Sequence, residues 1–211
     1  MQEMRSFIAA LRVGGVVIYP LLALAVTAAV VILEKGFIFA TRTHLPLALR
    51  RVIETYGFAW EELEERLAAL GPRHYFGRFF CVIVENRKRP AWWVESRATE
   101  EAALIEASLA RWLWALETTV TAAPLLGLLG TISGMIRAFK LFGSEGLVDP
   151  RGVTGGVAEA LIATAVGLFI ALVALFAFNF FSQRQAQVMD AMEQLGGRLV
   201  DHVRLDQETT P

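Results

Sequence analysis

An apolar stretch of membrane length, residues 155–179, constrains this chain more than any other feature of its sequence. It reads GGVAEALIATAVGLFIALVALFAFN and carries one carboxylate, Glu159, and one hydroxyl, Thr164. A bilayer core needs about 20 apolar residues in a helix, and a charged side chain near its centre costs at least roughly 2.5 to 3.5 kcal/mol. Because ionisable groups at this depth tend to mark an ion pathway, the stretch favours transport over soluble enzymology.

The composition supports a membrane protein and offers little for other classes. Of the 211 residues, 55% are hydrophobic, which exceeds the need of a globular core. The formal net charge of −1 lacks the positive excess that is typical of proteins that bind nucleic acids, so no nucleic-acid partner is expected. Cys81 is the only cysteine, and the three histidines, His44, His74 and His202, are far apart. We therefore expect no metal site and no cofactor.

Three segments have the length and composition of transmembrane helices, which predicts an all-α integral membrane protein. The first, residues 14–34, is too long for the apolar part of a cleavable signal and is expected to remain as an anchor. The second, residues 118–139, contains hydroxyls and glycines, as expected of a helix that faces other helices. The third, residues 156–181, is long enough to cross with tilt.

The distribution of basic residues predicts the orientation. Twelve of the 20 Lys and Arg residues lie in residues 35–117, and three more lie in the tail after residue 181. The positive-inside bias then places the N-terminus outside and the C-terminus in the cytoplasm. The predicted segments are an outer segment 1–13, a first span 14–34, a cytoplasmic helical segment 35–117, a second span 118–139, a short outer loop 140–155, a third span 156–181 and a cytoplasmic tail 182–211.

Helical periodicity continues beyond the spans. Residues 61–70 have leucines at helical spacing and end at Gly71-Pro72. An apolar stripe over residues 99–116 runs without a breaker into the second span, which predicts one long helix there. The third helix is also expected to extend into the cytoplasm, loosened at Gly196-Gly197, because its apolar stripe continues through Val188, Met192, Leu195 and Leu199.

One face of the second span carries the candidate polar groups. Steps of four and three residues place on it Glu117, Thr121, Pro124, Leu128, Thr131 and Met135. Thr131 lies near the middle of the span, where its hydroxyl either belongs to an ion pathway or bonds the preceding turn. Gly130 and Gly134 form a GxxxG spacing, which indicates close helix packing only.

The third span offers a stripe of small residues for such packing: Ala160, Ala163, Gly167, Ala171 and Ala174. Glu159 lies about one turn from the outer end of the span, where it either extends to the interface or stands at the mouth of a polar pathway. In the second case Thr131 and Thr164 would be hydroxyls inside that pathway, able to relay protons through water.

Two motifs in the right order resemble the ExbB/TolQ/MotA proton-channel family. They are APLLGLLGTISGMIRAF, residues 123–139, and GGVAEALIATAVGLF, residues 155–169. By this resemblance Thr131 and Thr164 match pore threonines and Glu159 matches a third-span glutamate, whereas Val173 stands where relatives commonly have proline. The resemblance also implies a homopentameric ring in the bacterial inner membrane, around single-span partner subunits of the ExbD or TolR type that supply a membrane aspartate.

The expected function is that of an ExbB-like subunit that uses the proton motive force, with an ExbD-type partner, to energise TonB-dependent transport. A TolQ-like subunit of the Tol-Pal system is the close alternative. A MotA-like stator fits less well, because three spans are visible rather than four. A nonconducting scaffold packed in membrane lipid remains a further alternative. An enzyme is not expected, since P-loop, HExxH and GxSxG motifs are absent from the sequence. Protons are favoured over sodium because few oxygen ligands are present.

Overall fold

The computed structural model describes residues 16–55, 59–140 and 150–209. Nearly all of these residues are helical, which confirms the prediction of an all-α protein. The predicted outer segment 1–13 lies outside the described residues. The helices are α1 (Ile18–Arg42), α2 (Leu47–Glu54), α3 (Trp60–Ala68), α4 (Tyr75–Glu85), α5 (Ala91–Ala110), α6 (Leu113–Lys140) and α7 (Pro150–Thr209).

Among the described residues, three helical segments are long and apolar enough to cross a membrane: Ile18–Arg42, Ala91–Phe139 and Thr154–Glu208. Each overlaps one predicted span, so the number of spans is confirmed at the level of length and composition. Much of the predicted outer loop, residues 141–149, lies outside the described residues, whereas its last part belongs to α7, which begins at Pro150.

The chain divides into two compact units. The first unit combines Met1–Leu33 with Trp112–Phe180, and the second combines Glu34–Arg111 with Phe181–Pro211. In the first unit the apolar parts of α1, α6 and α7 pack around a small core. Its buried residues are Val17, Leu21, Ala123, Ile170 and Ala171.

The second unit has a larger core, to which all its helices contribute. Phe76, Phe80 and Ile83 of α4 are fully buried there, with Ile105 and Leu109 of α5. The predicted stripe on α7 is confirmed, because its members lie in this core: Val188, Met192, Leu195 and Leu199.

The helix predicted for residues 61–70 is confirmed as α3, which spans Trp60–Ala68. The chain then turns at Gly71, whose φ of +77° is the left-handed conformation that glycine adopts without strain. The left-handed conformation of Gly71 therefore explains why the helix ends before Gly71-Pro72, as the sequence predicted.

The prediction of one unbroken helix from residue 99 into the second span is wrong at Arg111–Trp112. Helix α5 ends at Ala110, Trp112 has a φ of +67°, and α6 begins at Leu113. The buried Lys35 explains the interruption, because its Nζ donates to the carbonyls of Leu109 at 2.7 Å and Ser108 at 3.4 Å. In a continuous helix these carbonyls would accept from the amides four residues later. Lys35 instead satisfies the end of α5.

Helix α7 is continuous for 60 residues, so Val173 and the pair Gly196-Gly197 produce no break. That the glycine pair loosens the helix without breaking it stays a prediction. A Cβ at Gly196 would lie 2.7 Å from the ring of Phe79, whereas nothing lies within 4 Å of one at Gly197. Gly196 is therefore a point of close contact between α7 and α4, where a larger residue would overlap the Phe79 ring.

Candidate functional site

Helices α6 and α7 approach each other through small residues in the first unit. A Cβ at Gly130 would lie 2.5 Å from the Cβ of Ala163, and one at Gly134 would lie 2.9 Å from the Cβ of Ala160. Real Cβ atoms essentially never come this close. The structure thus places the predicted packing residues of the second span directly against those of the third, at a separation that only glycine permits.

The third contact of this stripe involves backbone on both sides. A Cβ at Gly167 would lie 2.5 Å from the carbonyl oxygen of Ala123 and 3.1 Å from the Cα of Gly127. From contact to contact, later residues of α6 meet earlier residues of α7, as in antiparallel helices. The stripe therefore fixes the register of the two helices and decides which polar side chains can meet.

Thr164 links the two helices at this contact. Its Oγ1 donates a hydrogen bond to the carbonyl oxygen of Gly127 at 3.0 Å. A Cβ at Gly127 would lie 3.0 Å from the Cα of Thr164, so the close approach of the helices is what brings the hydroxyl to the carbonyl. Gly127 precedes Thr131 by one helical turn, about 6 Å along α6. Thr164 therefore meets α6 within one turn of the other candidate threonine.

Thr131 is half-buried, and its hydroxyl bonds its own helix. Oγ1 donates to the carbonyl of Leu128 at 2.6 Å. This geometry corresponds to the alternative in which the hydroxyl satisfies the preceding turn. A hydroxyl that donates one hydrogen bond retains two lone pairs that can accept. Thr131 can thus accept from water or from a protonated carboxyl without losing this bond.

Glu117 and Thr121 are exposed near the start of α6. The Thr121 hydroxyl donates to the carbonyl of Thr118 at 3.0 Å. Glu117 precedes Thr131 by 14 residues, which corresponds to about 21 Å along a helix. These two candidates share a helical face with Thr131 but lie far from it along α6.

Glu159 forms an ion pair with Arg137, a residue near the end of the second span that sequence reasoning did not single out. The Arg137 guanidinium donates to Oε1 of Glu159 across α6 and α7. The antiparallel register of α6 and α7 that the glycine contacts impose would have indicated this pair. The carboxylate of Glu159 is therefore held by a side chain of the neighbouring helix.

The remaining surface of the first unit is strongly apolar. Large side chains stay exposed on α6, among them Leu125, Leu128, Ile132, Met135 and Phe139. Exposed apolar area of this extent indicates contact with lipid or with other protein chains. The face that carries Thr131 is thus open in the single chain.

His74 and Cys81, in the second unit, have shifted pKa values. Burial lowers the pKa of His74, whose Nε2 lies 3.0 Å from the carbonyl oxygen of His44. Burial, together with the charge of Glu85, raises the pKa of the Cys81 thiol. Within the described ranges, no group of three or more His, Cys, Asp or Glu residues is placed to hold a metal ion.

The model of the MotA/TolQ/ExbB proton channel family matches residues 61–194. The chain belongs to this family. The match includes the whole of α6 and the part of α7 that contains Glu159 and Thr164, and it confirms the resemblance that the two motifs indicated. The family is one of channels, and an enzymatic activity has no support in it.

The individual relatives are named as ExbB or ExbB-like proteins and as TolQ proteins. The biopolymer transport protein ExbB-like 1 of Synechocystis sp. is 34% identical over 193 residues, which cover 88% of this chain and 74% of the relative. ExbB of Xanthomonas campestris is 43% identical over 86 residues, 41% of this chain and 34% of the relative. The Tol-Pal system protein TolQ of Haemophilus influenzae is 40% identical over 86 residues, 41% of this chain and 36% of the relative.

These relatives support an ExbB/TolQ-type channel subunit of biopolymer transport. This chain spans most of the Synechocystis protein but only about a third of the Xanthomonas and Haemophilus proteins. Both ExbB and TolQ proteins occur among the matches, over stretches of the same length and at similar identity.

Proposed function

We propose that this chain is an ExbB-like subunit of an inner-membrane motor that couples the proton motive force to TonB-dependent transport across the outer membrane. The observation that supports this function best is the Thr164 hydrogen bond to Gly127, one turn from Thr131. The bond joins α6 and α7 within the part of the chain that the family model matches, and in this proposal both hydroxyls lie at membrane depth. A helix pair that needed only to pack could do so with glycine and alanine alone.

In this proposal five copies of the chain form a ring, and α6 and α7 line its interior. The open face of α6, with Thr131 half-buried on it, faces the ring axis. A single-span partner of the ExbD or TolR type occupies the axis and supplies an aspartate, since α6 itself has no Asp or Glu after Glu117, which precedes Thr131 by 14 residues. The N-terminus is periplasmic and the C-terminus cytoplasmic, as the distribution of basic residues favours.

The proposed mechanism divides the work between the two subunits. The partner aspartate takes up and releases the proton. Thr131 and Thr164 accept a hydrogen bond from its protonated form, and they donate one to its ionised form when they release the carbonyls of Leu128 and Gly127. A proton that moves down the membrane potential yields about 2.3 kcal/mol per 100 mV. This is enough per step to bias the rearrangement of packed helices against each other. Protons rather than sodium are the proposed ion, and no cofactor is required.

Replacement of Thr164 tests the proposal. Valine keeps the shape of threonine and removes the hydroxyl, whereas serine keeps the hydroxyl. With the partner subunit in liposomes, Thr164→Val should reduce partner-dependent proton flux about tenfold, the equivalent of one lost hydrogen bond of about 1.4 kcal/mol. Thr164→Ser should retain most of the flux. Equal flux from all three proteins at matched assembly would remove Thr164 from the pathway, and no flux from the wild type would favour the nonconducting scaffold.

A TolQ-like role in the Tol-Pal system is the second candidate, because the Haemophilus TolQ matches the same region at 40% identity. Deletion of the gene in the source bacterium distinguishes the two. Loss of TonB-dependent uptake with an intact envelope supports the ExbB-like role. A leaky envelope with normal uptake supports the TolQ-like role.

A further inference from the structure

The junction between α5 and α6 is interrupted although its sequence favours a continuous helix. Residues 91–123 contain neither glycine nor proline, and the alanine, leucine and arginine residues at the junction are good helix formers. Helix α5 nevertheless ends at Ala110, and Trp112 adopts a φ of +67° before α6 begins at Leu113. This left-handed conformation costs free energy in a residue with a Cβ, because the Cβ comes too close to the following carbonyl oxygen. An interaction from outside the junction must therefore hold it in this state.

That interaction comes from Lys35 on α1. Its side chain is fully buried, and its Nζ lies 2.7 Å from the carbonyl oxygen of Leu109 and 3.4 Å from that of Ser108. In a continuous helix these two carbonyls would accept from the amides of Leu113 and Trp112, four residues later in each case. Lys35 thus occupies the acceptors that α5 would need in order to continue.

The dependence is mutual, because the buried end of Lys35 needs acceptors as much as the end of α5 needs donors. A polar group that is taken out of water without a compensating hydrogen bond costs free energy. Among the described residues, the acceptors of the Lys35 Nζ are the two carbonyl oxygens at the end of α5. If α5 and α6 joined, Lys35 would lose both acceptors and would have to leave its buried site. The position of this side chain and the state of the junction are therefore linked.

A further hydrogen bond ties the last turn of α5 to α4. The Tyr75 hydroxyl lies 2.9 Å from the hydroxyl oxygen of Ser108. The amide of Arg111 still donates to the Ala107 carbonyl at 3.1 Å, so the regular bonding of α5 extends to this amide. A change between the interrupted and the continuous helix thus needs new torsion angles only at Arg111 and Trp112.

We propose that the junction is a two-state device and that Lys35 sets its state. While the Nζ of Lys35 binds the end of α5, the two helices stay separate. When it withdraws, the amides at the start of α6 take the released carbonyls and the helices join. The chain passes here from the second unit into the first, and α6 carries Thr131. A displacement of Lys35 therefore reaches the start of that helix through the chain itself. This inference goes beyond the proposed function and does not require that the chain conducts.

Amide hydrogen exchange of the full chain in nanodiscs tests the device without any measurement of flux. In the interrupted state the amides of Leu113 and Trp114 belong to the first turn of α6, where no carbonyl of the same helix can accept from them. Lys35→Met keeps an unbranched side chain and removes the donor. Both amides should then gain helical hydrogen bonds and exchange about tenfold more slowly than in the wild type.

Two variants control this experiment. Lys35→Arg keeps hydrogen-bond donors at the end of the side chain, and Lys88→Met removes an exposed lysine elsewhere in the second unit. Both should exchange like the wild type. A purely structural role for Lys35 predicts the opposite sign, because a loosened helix end exchanges faster. Unchanged or faster exchange in Lys35→Met, or equally slow exchange in Lys35→Met and Lys35→Arg, would overturn the inference.

Substitutions at two tryptophans cover the case in which Lys35→Met does not fold, because they leave Lys35 in place. The rings of Trp112 and Trp114 pack against each other with their centroids 6.0 Å apart, so alanine and glycine at either position remove the same contact. Trp112→Gly should unfold roughly 2 to 4 °C higher than Trp112→Ala, because glycine adopts the left-handed φ without strain. Trp114→Gly should unfold at a lower temperature than Trp114→Ala, because residue 114 is helical. An unfolding temperature of Trp112→Ala equal to or above that of Trp112→Gly would overturn the inference.

Discussion

Gly167→Ala is the substitution that tests the contact between α6 and α7 most severely. The added Cβ would lie 2.5 Å from the Ala123 carbonyl oxygen, about 0.9 Å short of ordinary van der Waals contact at 3.4 Å. The next nearest atoms, Gly127 Cα at 3.1 Å and Ala123 C at 3.3 Å, are also backbone. No side chain can rotate away, so the helices must separate by about the same 0.9 Å.

The separation has an energetic and a functional consequence. Overpacking of this kind costs up to about 3 kcal/mol, while alanine regains up to about 1 kcal/mol through helix propensity. We therefore expect a net loss of about 2 kcal/mol in the free energy of unfolding. The Thr164 hydrogen bond to Gly127, now 3.0 Å, would also stretch beyond the range of a hydrogen bond.

Thermal unfolding of the full chain in nanodiscs, followed by tryptophan fluorescence, measures this loss. Gly155→Ala is the control in the same helix, because nothing lies within 4 Å of a Cβ at Gly155. That variant should be neutral or slightly more stable than the wild type. If Gly167→Ala unfolds at the same temperature as Gly155→Ala, the close approach of the two helices is refuted.

Three further predictions concern the second unit. Burial lowers the pKa of His74 below its ordinary value, so the unfolded chain binds a proton at a higher pH than the folded chain does. The free energy of unfolding should therefore be highest above about pH 6.5 and should fall as the pH drops below that value. The fall should end where the folded histidine also takes up its proton. Thermal unfolding between pH 7.5 and 5.5 checks this, and an equal slope in His74→Gln would contradict it. Because burial raises the pKa of the Cys81 thiol, iodoacetamide at pH 7.5 should modify it more slowly than a cysteine in an unstructured peptide, and an equal rate would refute the shift. Gly196→Ala should lower the free energy of unfolding by about 1 kcal/mol or more through its contact with the Phe79 ring, whereas Gly197→Ala should not, as thermal unfolding of the two variants will reveal.

The parts of the fold that were predictable from sequence are those that depend on local pattern. Apolar length identified the three spans, and periodicity identified α3 and the buried stripe of α7 that includes Met192 and Leu199. These features depend on residues a few positions apart, which helical geometry alone relates to each other.

The features that were missed depend on residues distant in the chain. The end of α5 depends on Lys35, which is 74 residues away from Leu109, and no local breaker marks the place. The close contact of Gly196 with the ring of Phe79 was missed because the two residues are remote in sequence. Such tertiary contacts override local helix propensity.

In the candidate site, too, the identity of the residues was predictable from sequence, whereas the bonds that they make were not. Residue types and spacing singled out Thr131, Thr164 and Glu159. The bonds that these side chains make required the register of α6 against α7, and that register gives Thr164 its bond to Gly127 and Glu159 its partner Arg137. An interhelical register is a property of two helices together, so the periodicity of either helix alone does not reveal it.

The central claim is that this chain conducts protons when a partner supplies the membrane carboxylate. Its most direct test is proton uptake by liposomes that contain the wild-type chain together with its single-span partner, under an imposed potassium diffusion potential. The account predicts uptake with the native partner and none with a partner whose membrane aspartate is replaced by asparagine. Equal uptake with both partners, or no uptake with either, would contradict it.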